Sequence, residues 1–64
     1  MNNLTERETR ILALIQQGLT NYQIAVVGNL SPTIVSQDIR SIKDKLGVNS
    51  KEALATLVHQ ETVS

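Results

Sequence analysis

Ser36, Gln37 and Arg40 lie close together in the stretch LSPTIVSQDIRSIKDKLG, and their side chains have the chemistry to read hydrogen-bonding edges. A glutamine amide sets a donor beside an acceptor and can pair bidentately with adenine. A guanidinium matches the two acceptors of guanine, and a serine hydroxyl suits several groups. Lys43 and Lys45 follow on the same segment. A flexible ammonium is a point charge without a code, so both suit phosphate rather than bases. Bond-making chemistry has no comparable set. His59 is the single imidazole, there is no cysteine, and no second histidine stands four residues from it to share a metal. Ser31 and Ser36 have no nearby general base, and the three glycines stand at helix ends or turns rather than in a phosphate-binding loop. Neither an enzyme nor a cofactor is expected.

The elements that must position these residues are helices. Thr5-Glu6-Arg7-Glu8 has the form of a capping box, with Leu4 before it as a hydrophobic staple. Ile11, Leu12 and Ile15 give that helix its apolar stripe, and Gly18 stops it. Thr20-Asn21-Tyr22-Gln23 is a second capping box, opening a short helix that Gly28-Asn29 breaks. Ser31 caps a third helix with Pro32 at its first position, where a missing N–H costs nothing. Val35, Ile39, Ile42 and Leu46 form its narrow core stripe, and Gly47 ends it. Asn49 or Ser50 caps a fourth helix bearing Ala53, Leu54, Leu57 and Val58. The expected helices span about 5–17, 21–27, 32–46 and 50–60, in a single all-α domain over residues 1–64. A helix, a sharp turn and a longer helix make the helix-turn-helix arrangement, whose second helix enters the major groove. With the Val/Ile/Leu stripe inward, a helical wheel turns Ser36, Gln37, Arg40, Lys43 and Asp44 outward.

Size and charge bound the possibilities. A chain of 64 residues buries only ~60% of its unfolded surface, so packing must be good or a partner must help. No apolar run approaches the ~20 residues needed to span a bilayer, and a cytoplasmic location is expected. The formal net charge of zero hides a segregation. Up to residue 39, Arg7 and Arg10 face Glu6, Glu8 and Asp38. Residues 40–51 carry Arg40, Lys43, Lys45 and Lys51 against Asp44 alone, and Glu52 and Glu61 follow. Such a basic block suits either a polyanion binder or a solvated helix face.

LTERETRILALIQQGLTNYQIA together with LSPTIVSQDIRSIKDKLGVNSKEAL resembles the LuxR-type (FixJ/NarL-like) DNA-binding domain of bacterial transcription regulators. Its marks here are Leu4-Thr5-x-Arg7-Glu8, Gly18-Leu19-Thr20-Asn21, Ile24-Ala25 and Lys45-Leu46-Gly47-Val48, in order over nearly the whole chain. The resemblance implies a four-helix fold, a third helix that reads DNA and a fourth that often dimerises on it. It places base contacts at Ser36, Gln37 and Arg40. Thr20, Asn21 and Tyr22 open the second helix, where free N–H groups favour a phosphate oxygen. Leu54, Leu57 and Val58 form a stripe wide enough for a two-fold interface, or simply for the core.

The departures matter as much. Where the family usually has Thr-Val-Lys-x-His, this chain has Ile34-Val35-Ser36-Gln37-Asp38, and Tyr22 replaces a common lysine. A carboxylate desolvated against phosphate costs on the order of several kcal/mol. Alternatively Asp38 pairs with Arg7, Arg10 or a lysine of the fourth helix, or favours the positive end of its own helix. Val26 and Val27 stand where the family is usually charged, and Gly28 where it has a core leucine. Val27 is expected to fill the space at Gly28. At least one apolar residue stays on the surface near Ile34, making a patch for a protein partner. Two functions follow: a dimeric DNA-binding regulator domain, or a helix-turn-helix module that has lost DNA affinity and binds a regulator or polymerase subunit. The start of the chain just before the first helix suits a whole protein or the C-terminal domain of a larger regulator.

Overall fold

The computed structural model describes residues 4–56. Among them every regular element is helical: α1 (Glu6–Gln16), α2 (Asn21–Gly28), α3 (Pro32–Leu46) and α4 over residues 51–56.

Each helix starts on a side-chain cap. The Thr5 hydroxyl accepts from the Glu8 N–H at 3.0 Å, and the Glu8 carboxylate accepts from the Thr5 N–H at 2.9 Å. Thr20 and Gln23 repeat the exchange at α2, Ser31 accepts from the Ile34 N–H, and Ser50 accepts from the Ala53 N–H. These caps satisfy backbone donors that a helix start leaves without a partner. The stops share one mechanism as well. In α2 the Leu30 N–H reaches the Ala25 carbonyl while Asn29 reaches Val26, and in α3 Val48 reaches Lys43 while Gly47 reaches Asp44. This double closure needs a left-handed residue just past the helix. Gly18 at φ 88° and Gly47 at φ 71° supply it for α1 and α3, and Asn29 at φ 56° supplies it for α2. Gly28 is therefore the last residue of α2 rather than its breaker.

The core is aliphatic. Ile11 and Ile15 of α1, Ile24 and Ala25 of α2, Val35, Ile39 and Ile42 of α3, and Leu54 of α4 are buried together, with Leu4, Leu12, Leu30 and Leu46 packed around them. Each fully buried Ile or Leu contributes roughly 1.5–3 kcal/mol of transfer free energy. Val27 is not part of this core. It stays 63% exposed and Val26 62%, so the space at Gly28 is closed by Leu30 instead. A Cβ on Gly28 would stand 3.3 Å from Leu30 Cδ1.

Candidate nucleic-acid interface

Burying Val35, Ile39 and Ile42 fixes the rotation of α3, since residues three and four apart share a face. The opposite side is left to solvent. Ser36, Gln37 and Arg40 are exposed on it, with Asp44 beyond them and Lys43 half-buried at its edge. Arg40 stands one turn from both Ser36 and Gln37, so the three form one contiguous polar face. Among the described residues neither Arg40 nor Lys43 is in an ion pair.

The flank of α3 facing α1 carries two ion pairs. Arg7 Nε donates to Asp38 Oδ2 at 2.5 Å and Arg7 Nη2 donates to Oδ1 at 3.1 Å. This is a bidentate fork, the strong form of an arginine–carboxylate contact. One residue along α1 and two turns along α3, Lys45 Nζ donates to Glu8 Oε1 at 2.7 Å. Glu8 is buried, and its hydrogen bond from Lys45, with a second from the Thr5 N–H, pulls its carboxyl down to about 2 against the cost of desolvation. The Arg7 guanidinium is pushed up by its hydrogen bond to Asp38 and by the charge of that carboxylate.

These pairs settle the placement of Asp38. Its carboxylate is turned under Arg7 and buried, not aimed outward from the exposed polar face. Lys45, expected as a phosphate partner, has its ammonium on Glu8. Leu54, expected at a two-fold interface, is fully buried in the core and has no surface to offer a second copy. Leu57, Val58 and His59 lie outside the described residues. Thr20, Asn21 and Tyr22 are exposed at the start of α2. The Thr20 hydroxyl is occupied by the Gln23 N–H, while the cap leaves the N–H groups of Asn21 and Tyr22 to other partners. Lys51 donates to the Leu19 carbonyl at 2.9 Å, tying α4 to the turn after α1.

Sequence reasoning missed the Glu8–Lys45 pair and the use of Lys51. The signal for the first was present. Asp38 and Lys45 are seven residues apart, so they share a face at the edge of the apolar stripe, where a charge needs a partner. Arg7-Glu8 on α1 carries the opposite charges in the matching order.

Val27 also lines an open groove of about 490 Å³ between α1 and the α2–α3 turn, with Arg7, Arg10, Ile11, Leu14 and Leu30. Val26 and Ile34 do not line it. Among the described residues there is no cluster of three potential metal ligands, and no helix is long and apolar enough to cross a membrane.

Comparison with known protein families matches residues 2–58 to the family described as bacterial regulatory proteins, luxR family. The chain is 45% identical over 58 residues to the nitrate/nitrite response regulator protein NarP of Escherichia coli (strain K12), covering 91% of this chain and 27% of that protein. It is 37% identical to the probable transcriptional regulatory protein SgaR of Hyphomicrobium methylovorum, over 92% of this chain and 28% of that protein. A third relative, the HTH-type transcriptional regulator MalT of Vibrio cholerae, is 41% identical over 83% of this chain and 6% of its own length. The chain thus spans less than a third of the length of each of these relatives. No solved structure matches it.

Proposed function

The chain belongs to the luxR family of bacterial regulatory proteins, and on that premise we propose that it is a DNA-reading unit whose α3 enters the major groove. One observation carries the reading. Ser36, Gln37 and Arg40 stand exposed on a single face of α3 while the only carboxylate between them, Asp38, is held under Arg7. Gln37 then reads adenine, Arg40 reads guanine and Ser36 contributes a less selective bond. Lys43 and the start of α2, with Thr20, Asn21 and Tyr22, set the register on the phosphates. Lys45 braces α3 against α1 through Glu8.

Binding as a dimer on two half-sites one helical turn apart fits this geometry, since one short helix reads few bases. The fourth helix is the proposed contact, through residues other than Leu54. Fluorescence titration against random duplex tests the reading. With about three phosphates neutralised, the log–log dependence of affinity on salt should have a slope near −2.7. A flat dependence would overturn it. It would favour a second reading, docking of a protein partner's apolar side chain beside the exposed Val26 and Val27, which the groove at Val27 supports.

A further inference from the structure

We infer that Arg7, an α1 residue outside the helix-turn-helix, contacts a DNA phosphate, and that Asp38 is the residue that holds it there. The inference rests on the DNA-reading face proposed above. A guanidinium has five N–H donors in a fixed plane. Asp38 takes one on Nε and one on Nη2, which leaves the outer edge, Nη1 and the second Nη2 hydrogen, available. The two charges are not equally placed. The Arg7 side chain is 52% exposed and that of Asp38 only 10%. The pair therefore turns its cation to solvent and hides its anion, and it does so on the flank of α3 beside Gln37.

Where that flank lies decides the ligand. A helix with side chains is about 10–12 Å across and the major groove is about 12 Å wide. Seating Ser36, Gln37 and Arg40 on bases therefore brings a sugar–phosphate strand along each flank of α3. On the α1 side, the Lys45 ammonium is engaged by Glu8, and Arg7, fixed on Asp38, presents its outer edge to solvent. A planar fork already pinned at one edge gives up little further freedom on meeting a phosphate. Asp38 thus acts as a positioning residue, and its carboxylate serves phosphate binding instead of opposing it.

The test uses a duplex enriched from a random pool by the intact chain, remade as a series in which one phosphate at a time is a neutral methylphosphonate. The wild-type chain should lose about tenfold in affinity at one phosphate per half-site. The double variant Arg7→Gln/Asp38→Asn should be indifferent to that substitution, while Asp38→Asn alone keeps the sensitivity in weakened form. A merely structural role would lower Tm without changing the phosphate profile. If the double variant does not fold, Arg7→Gln alone, whose amide still donates to Asp38, makes the same comparison. A profile unchanged on removing Arg7 overturns this inference and leaves the reading face standing. Failure of the wild-type chain to enrich any duplex overturns both.

Discussion

Single residues that look alike in the sequence do different work here, the cations above all. Arg40 faces outward with no carboxylate of the described residues on it, so Arg40→Ala should cost about 1–3 kcal/mol on the best site and relax selection at one base position. Lys43→Ala should weaken all duplexes alike and reduce the salt slope by about one. Competition titrations at several salt concentrations separate the two outcomes. Glu8 gives a pH prediction. Its carboxyl is held at about 2 in the folded chain against an ordinary 4.5, so the folded state favours the charged form. That stability is complete above about pH 4.5 and is lost as pH falls toward 2. Glu8→Gln should flatten the thermal stability profile in this window. A variant with the same acid dependence as the wild type would show that the Lys45 pair is not its source.

Helix starts were legible in the sequence because a cap is a local event. Thr5, Thr20 and Ser31 bond only to backbone three residues on. The stop of α2 was less so. Gly28-Asn29 offers two residues able to adopt positive φ, and the choice of Asn29 depends on Leu30 folding back over Gly28. Asn29→Ala should therefore cost about 1–2 kcal/mol, since an alanine pays for left-handed geometry, whereas Asn29→Gly should cost nothing. Urea midpoints with unchanged m-values would establish this, and equal stability of the two variants would count against the turn as described. The core stripe of α3 was readable from its period, and with it the outward set Ser36, Gln37 and Arg40. What periodicity could not supply was the neighbour on each flank. Whether Asp38 met Arg7, Arg10 or a lysine of the fourth helix was a question of how α1 crosses α3, which no local pattern contains.

At the scale of the whole molecule, a small aliphatic core and two ion pairs lock α1 onto α3. Leu54 closes that core from α4, so Leu54→Ala should destabilise the domain by about 2–5 kcal/mol in a concentration-independent way. A loss that vanished at high protein concentration would return Leu54 to an interface between copies. Val26 and Val27, by contrast, touch solvent, and replacing both with serine should change stability by no more than about 0.5 kcal/mol each. The stripe on the fourth helix left Leu54 open between two roles, because one apolar period serves a core and an interface equally well. In a domain this short the core takes its share first.

Whether the outer face of α3 reads bases is decided by binding-site selection from a random duplex pool with the wild-type chain and Arg40→Ala. The wild-type chain should enrich a motif with a fixed guanine, and the variant should enrich the same motif with that position free. Identical motifs from both proteins, or no motif from the wild type, would contradict it.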